Sequence, residues 1–158
     1  MLSRTNIIGP TLARAAECEA VLRSLPSWFG IEAALLGYAA DTARNPTFAA
    51  IHGTSIIGFL TLHEHFAEAW EIHCVAVHSN FRNQGFGSKL LAHAEQWLIE
   101  RKVKYLQVKT VARASKSAEY AQTRDFYMAK GFTPLEVFPN LWVPESPALQ
   151  LVKVLYAG

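Results

Sequence analysis

The chain has 158 residues, of which 51% are hydrophobic and 18% are charged. The length fits one domain, since domains commonly have about 100–150 residues, and the low charged fraction excludes an intrinsically disordered chain. The formal net charge is +2 without a concentrated run of Lys and Arg, which argues against a nucleic-acid partner. We therefore expect residues 1–158 to form a single domain.

Hydrophobic periodicity predicts helices followed by strands in the first half of the chain. The predicted elements are helices at 11–25 and 32–44 and strands at 47–52, 56–65 and 70–77, with a short strand at 5–8 as an open alternative. Pro26 ends the first helix, and Gly53-Thr54 forms the turn between the first two of these strands.

The second half of the chain alternates between helices and strands. The predicted elements are a strongly amphipathic helix at 85–101, a strand at 104–111, a helix at 119–130 and strands at 132–138 and 149–155. Gly131 ends the second of these helices, because glycine readily adopts the left-handed conformation that follows a helix. The order ααβββαβαββ predicts an α/β (α+β) fold, antiparallel in its early part.

The two cysteines and the hydropathy pattern bear on the compartment. Cys18 and Cys74 lie far apart in apolar surroundings, so we expect both to be reduced core thiols. The longest uncharged stretch, 45–63, contains Pro46 and a polar turn, so it does not predict a membrane span. The N-terminus lacks the apolar core of a signal peptide. We expect a cytoplasmic protein without a membrane partner.

The segment 75–91 carries the most informative pattern. A strand ending at Val77 leads through a polar loop to Gly85 and Gly87, which open a helix. A helix N-terminus presents unpaired N–H groups, and glycine lets a large anion approach them, so the pattern indicates a phosphate-binding loop with Arg82 at its rim. A dinucleotide-binding fingerprint needs a third glycine where Leu90 stands, and the Gly-Lys-Ser/Thr of a P-loop is missing.

Two motifs together resemble the GNAT (general-control-related N-acetyltransferase) superfamily. Arg82-x-Gln84-Gly85-x-Gly87 after an apolar strand is similar to its acetyl-CoA-binding motif, and Phe126-Tyr127-Met128-Ala129-Lys130-Gly131-Phe132 is similar to its second signature. The resemblance covers 46–156 well and the first two helices loosely. It implies a mixed, centrally splayed β-sheet flanked by about four helices, with acetyl-CoA as co-substrate.

The resemblance also implies where the cofactor binds. The pantetheine arm would bond to the strand ending at Val77, and the pyrophosphate would meet the start of the following helix. Many family members carry an asparagine that touches the cofactor where this chain has Tyr120, so Tyr120 or Thr123 is expected to take over that contact. The implied cofactor-binding residues are Val75, Ala76, Val77, Arg82, Asn83, Gln84, Gly85, Phe86, Gly87, Ser88, Tyr120 and Thr123.

Acetyl transfer to an amine needs a base for the amine and stabilisation of the leaving thiolate. Glu71 lies fourteen residues before Gly85, as the base glutamate does in the histone-acetyltransferase branch, and strand alternation predicts one face for Glu71, His73 and Val77. Tyr127 matches the family tyrosine near the thioester sulfur. The alternatives are an ion-paired Glu71 with water as the base, and a core tyrosine at position 127.

The sequence therefore predicts an acetyl-CoA-dependent N-acetyltransferase that acts on a primary amine. A non-catalytic acyl-CoA-binding sensor or structural module is the alternative, followed by an acyltransferase for longer chains or a hydroxyl acceptor. Several histidines, including the pair His63 and His65, lack a completing ligand set, so no metal site is expected. The acceptor would be shaped by Trp28, Phe29, Tyr38 and the 138–147 loop with Trp142, aromatics that would equally serve in the core or in a homodimer.

Overall fold

A computed structural model describes residues 5–11, 14–25, 32–112 and 118–156, with Glu119 described without its side chain. Trp28 and Phe29 lie outside the described residues. In chain order the elements are β1 (Thr5–Thr11), α1 (Ala15–Arg23), α2 (Glu32–Asp41), β2 (Thr47–His52), β3 (Ser55–Phe66), β4 (Ala69–Val77), a 3₁₀ turn (Ser79–Phe81), α3 (Phe86–Glu100), β5 (Tyr105–Val111), α4 (Ala118–Ala129), β6 (Thr133–Val143) and β7 (Ser146–Val154).

The seven strands have the order β1-β2-β3-β4-β5-β7-β6 in one sheet, so the predicted mixed fold with four helices is confirmed. By its contacts the chain divides into two compact units. The first consists of Met1–His63 and Ile72–Arg101, and the second of Glu64–Glu71 and Lys102–Gly158. In the described residues, no helix is long and apolar enough to cross a membrane.

The N-terminal boundaries differ from the sequence prediction. The first helix was expected from Thr11, but Thr11 pairs with Thr47 in β1, and α1 begins at Ala15. The second helix was expected to reach residue 44 and ends at Asp41. There the Thr42 hydroxyl donates to Ala39 O at 2.7 Å, while the Ala43 N–H, which would bind Ala39 O in a longer helix, donates to Ala40 O at 3.1 Å.

In the first unit, helices cover both faces of the sheet. Cys18 and Leu22 of α1 are fully buried in one cluster with Phe59 of β3 and Ala76 of β4, and residues of α2 complete it. On the opposite face the Phe48 ring meets the Trp97 ring of α3 at 6.1 Å between centroids. Neighbouring residues of a strand point to opposite faces, so α1 and α2 cover one face of this part of the sheet and α3 covers the other.

Both cysteines are free and buried, as predicted. Burial raises the pKa of the Cys18 thiol to about 11, and it also raises the pKa of Cys74. The cause is that a thiolate loses its hydration in the apolar core, which favours the neutral thiol.

In the second unit, α4 packs beside an antiparallel arrangement of β5, β7 and β6. Arg124 of α4 is buried and donates from Nη1 to Val111 O at 2.7 Å. Gly131 has φ +94° and ends α4, as predicted. The prediction of a loop over 138–147 is wrong, because β6 continues to Val143 and Trp142 lies in a strand. Proline interrupts central strands but is tolerated at a sheet edge, and β6 is the edge strand that carries Pro139.

Candidate cofactor and catalytic site

The loop between β4 and α3 is shaped by backbone conformation. His78 Nδ1 accepts a hydrogen bond from the Asn80 N–H at 3.1 Å, which holds the 3₁₀ turn. Asn83 and Gly85 then adopt positive φ angles of 61° and 84°. Asparagine and glycine are the residues that enter this left-handed region most readily, so the polar, glycine-containing loop allows the chain to turn into α3.

The first turn of α3 is suited to an anion. Gly85 is the N-cap, it supplies no side-chain capping bond, and the first turn carries no acidic residue. The Lys89 N–H donates to Gly85 O at 3.1 Å, so the N–H groups of the residues between them precede the first intrahelical bond. These groups and the positive end of the helix dipole favour a bound anion.

Lys89, which was not among the predicted site residues, lies at the start of α3. Its Nζ lies 5.5 Å from the centroid of the Phe86 ring, one turn into α3. The positive end of the helix dipole repels a cation in the first turn unless a nearby anion offsets the repulsion. This placement was readable from the sequence, because Lys89 follows the motif glycine Gly85 by four residues.

The part of β4 that the resemblance assigns to pantetheine lies close to its neighbour strand. A Cβ at Gly58 of β3 would lie 3.1 Å from Ala76 O, 3.4 Å from Val77 Cγ2 and 3.5 Å from Leu90 Cδ1. The absence of a side chain at Gly58 therefore permits a close approach of the β3 backbone, which positions Ala76 and Val77 from one side.

Glu71 is engaged by two side chains of the second unit. Its Oε1 accepts from His65 Nε2 at 2.7 Å, and its Oε2 accepts from Lys109 Nζ at 2.9 Å. Lys109 also donates to Gln107 Oε1 at 3.3 Å, and Gln107 accepts from Gln150. The Glu71 side chain is 14% exposed. The ion-paired alternative for Glu71 is thus present, and its role as a base stays a prediction.

His73 and Val77 lie on opposite sides of β4. The His73 ring contacts Tyr38 and Asp41 of α2, whereas Val77 Cγ2 and Leu90 Cδ1 of α3 would both lie within 3.5 Å of a Cβ at Gly58. Since α2 and α3 cover opposite faces, the expectation that His73 and Val77 share a face is not met. Strict alternation along the strand does not extend over this stretch.

Tyr127 is buried in the second unit, with 3% of its surface exposed. Its ring meets Phe126 at 5.3 Å and Phe132 at 5.5 Å between centroids. Tyr120 and Thr123, two turns and one turn earlier on α4, are half-buried. The predicted residues thus form two groups: the β4 end and the α3 start belong to the first unit, and Glu71, Tyr120, Thr123 and Tyr127 belong to the second.

A sequence profile decides the family. The profile of the Acetyltransferase (GNAT) family matches residues 15–132, well over half of the chain. The chain belongs to the GNAT family. No curated protein was found with significant sequence similarity to it. The family predicted from the two motifs is therefore confirmed.

Solved structures share the GNAT fold over nearly the whole chain. The ribosomal-protein-S18-alanine N-acetyltransferase from Escherichia coli is 15% identical, with a TM-score of 0.80 and coverage of 98% of this chain and 96% of that chain. The aminoglycoside 6'-N-acetyltransferase from Enterococcus faecium is 18% identical, with a TM-score of 0.74 and coverage of 97% and 98%. A GNAT family acetyltransferase from Elizabethkingia anophelis, with acetyl-CoA bound, is 19% identical, with a TM-score of 0.69 and coverage of 95% and 97%.

The histidines do not assemble a metal site in the part of the GNAT chain that the structure describes, where no group of three or more His, Cys, Asp or Glu side chains could hold a metal ion. His63 and His65 are instead engaged with separate partners: the His63 ring lies 6.3 Å from the His73 ring, and His65 binds Glu71. Asp41 and Lys109, the partners of His73 and Glu71, were not predicted, because neither belongs to a local sequence motif.

Proposed function

We propose that this GNAT protein transfers the acetyl group of acetyl-CoA to a primary amine of a small molecule or peptide. The observation that carries the proposal is the start of α3, where Gly85 has φ 84° and no side chain caps the helix. Combined with Arg82-x-Gln84-Gly85-x-Gly87, this geometry suits a pyrophosphate bound by main-chain N–H groups.

The residues of the first unit would hold the coenzyme. The N–H groups of residues 84–88 would donate to the pyrophosphate, and Arg82 and Lys89 would supply positive charge beside them. The β4 backbone at 75–77 would bond to the pantetheine arm, as the family resemblance implies. The acetyl-CoA bound to the Elizabethkingia anophelis relative supports this choice of coenzyme.

In the proposed transfer, the amine nitrogen bonds to the thioester carbonyl carbon and the C–S bond breaks. The CoA thiolate leaves with the electron pair of that bond. We propose that the Tyr127 hydroxyl donates a hydrogen bond to the departing sulfur, with its ring held by Phe126 and Phe132. Tyr120 and Thr123 remain proposed cofactor contacts of α4.

One observation favours the second candidate, a non-catalytic acyl-CoA-binding module. Both oxygens of Glu71, the predicted base, are held by His65 and Lys109. If no other group accepts the proton from the amine, binding without transfer is what remains. The two candidates differ in turnover and agree in coenzyme binding.

Thermal unfolding with acetyl-CoA tests the binding step. Ligand at 100 times its dissociation constant should stabilise the protein by about 2.7 kcal/mol. Release of free CoA thiol in the presence of amines tests the transfer. The amines are an alanine-starting peptide, spermidine, kanamycin and free lysine, two of them chosen from the substrates in the names of the structural relatives.

The outcomes separate the candidates. Stabilisation with amine-dependent thiol release supports the transferase. Stabilisation without release for any amine supports the binding module. No stabilisation at millimolar acetyl-CoA refutes both, because each requires the coenzyme to bind.

A further inference from the structure

An aspartate–histidine pair lies in the first unit. Asp41 Oδ2 accepts a hydrogen bond from His73 Nε2 at 2.7 Å. The two side chains are 27% and 32% exposed, so solvent and small molecules can reach them. Asp41 is the last residue of α2, and His73 stands in the middle of β4.

The surroundings of the pair hold both members in place. Arg44 Nη2 donates to the other oxygen of Asp41, Oδ1, at 2.8 Å. The Tyr38 ring lies 5.2 Å from the His73 ring and is tilted by 58° to it, and the His63 ring lies 6.3 Å away. The carboxylate is thus held by one cation, and the imidazole is flanked by two rings and bound to Asp41, so the ring has a defined orientation.

The hydrogen bond also fixes the tautomer. A carboxylate is an acceptor, so the proton of the neutral imidazole is on Nε2, and Nδ1 carries a free lone pair. Within the described residues, His73 Nδ1 has no hydrogen-bond partner. An imidazole oriented by a carboxylate, with the second nitrogen available, is the arrangement that serves proton abstraction in hydrolases.

Glu71 differs from His73 in this respect. Both carboxylate oxygens of Glu71 are held by donors, and its side chain is 14% exposed. Each oxygen keeps a further lone pair, but protonating Glu71 would weaken its ion pair with Lys109. His73 keeps one nitrogen available and is more exposed, although it lies only two residues further along β4.

We infer that His73 is the general base of the proposed acetyl transfer and that Asp41 is its positioning residue. The inference rests on the proposed function. Nδ1 takes one proton from the substrate ammonium, and the amine lone pair then bonds to the thioester carbonyl carbon. The C–S bond breaks with its electron pair on sulfur, and the second proton of the nitrogen ends on the CoA thiolate. His73 afterwards returns its proton to water.

The position of His73 on β4 agrees with this role. Val75, which the family resemblance places against pantetheine, follows His73 by two residues, a separation of about 6.6 Å along a strand. An imidazole reaches several ångströms beyond its Cα, and one bridging water extends that reach further. His73 would therefore reach an amine that attacks the acetyl group from the α2 side of the strand, the side opposite to Val77.

The experiment measures kcat/KM against pH for the wild type and three variants, His73→Gln, Asp41→Asn and Glu71→Gln. The substrates are acetyl-CoA and the amine of the four named above that releases thiol fastest. His93→Gln is the matched control, since it removes an exposed histidine of α3 in the same unit. Thermal stabilisation by acetyl-CoA is measured for every variant, to separate folding and coenzyme binding from proton transfer.

We expect His73→Gln to lower kcat/KM about 100-fold at neutral pH, with acetyl-CoA stabilisation unchanged. The groups facing His73 are Asp41 with its partner Arg44, His63 and Tyr38, and none of them replaces the lost lone pair at Nδ1. The wild type should show an acid limb, a fall of kcat/KM at low pH where the neutral base is lost. In His73→Gln this limb should be replaced by a steady rise of kcat/KM with pH, set by the fraction of the amine that is unprotonated. Asp41→Asn should cost about 10-fold and shift that limb, and His93→Gln should match the wild type.

Added imidazole provides a second readout, because it should restore thiol release to a His73→Ala variant. Wild-type rate and an unchanged acid limb in His73→Gln would overturn the inference. Loss of the acid limb in Glu71→Gln alone would assign the base to Glu71. If the wild type releases no thiol with any amine, the proposed transfer is refuted, and the role of His73 as its base is refuted as well.

Discussion

Replacing Gly85 with alanine tests the proposed anion site at α3 most directly. The position has φ 84°, and a Cβ there would meet no atom within 4 Å. Alanine therefore brings strain from the left-handed conformation, about 1–2 kcal/mol, without a clash inside the protein. The new methyl group would instead occupy space beside the N–H groups that we propose bind pyrophosphate.

The loss of coenzyme affinity follows from those N–H groups. Two charge-assisted hydrogen bonds, each worth about 1.5 kcal/mol, correspond to roughly 100-fold in dissociation constant. Acetyl-CoA at 100 times the wild-type constant then stabilises the wild type by about 2.7 kcal/mol and Gly85→Ala by about 0.4 kcal/mol. For a domain of this size the rise in Tm is about 5–11 °C in the wild type and about 1–2 °C in the variant.

Gly53→Ala is the matched control. Gly53 has φ 64°, no atom lies within 4 Å of its Cβ position, and it sits in the β2–β3 turn of the same unit. Both variants should lose similar stability without ligand, and only Gly85→Ala should lose the response to acetyl-CoA. Equal responses in differential scanning fluorimetry would refute the proposed role of the α3 N-terminus.

Three further changes give distinct readouts. Tyr127→Phe keeps the buried ring and removes the hydroxyl, so kcat should fall about 100-fold with acetyl-CoA stabilisation retained, and an unchanged kcat would exclude Tyr127 from the reaction. Gly58→Ala should lower the free energy of unfolding by about 1 kcal/mol, because its Cβ would lie 3.1 Å from Ala76 O. Gly37→Ala has open space on α2 and should raise the free energy of unfolding by up to about 1 kcal/mol. Urea unfolding measures both changes. Folding raises the pKa of Cys18 from 9.0 to about 11 and also raises the pKa of Cys74, so the unfolded state loses these protons first and stability should fall as the pH rises above 9, with about 2 kcal/mol of the loss between pH 9 and 11 due to Cys18. Cys18→Ala should make that fall shallower and leave the contribution of Cys74, and an unchanged slope would contradict the assignment.

Local patterns made most of the fold predictable. The periodicity of α3 and the glycine that ends α4 are properties of short segments, and both elements lie where they were predicted to within about one residue. The loop from β4 to α3 was predictable for the same reason, since Asn83 and Gly85 take backbone conformations that their residue types favour.

Contacts between distant segments were not predictable. His73 and Asp41 are 32 positions apart, and Lys109 and Glu71 are 38 apart, so only the packing of α2 beside β4 and of β5 within the second unit reveals either pair. The extent of β6 was missed because Pro139 signals a strand break unless the strand is known to be at an edge. A single sequence carries no information about which strand ends the sheet.

The cap of α3 has a consequence for how this protein can diverge. Its proposed hydrogen bonds to the pyrophosphate come from main-chain N–H groups, so at Asn83 and Gly85 the loop constrains backbone conformation, whereas side-chain charge is proposed to matter at Arg82 and Lys89. A loop defined by backbone conformation can persist while the sequence around it changes, and this fold is shared with solved structures at 15–19% identity.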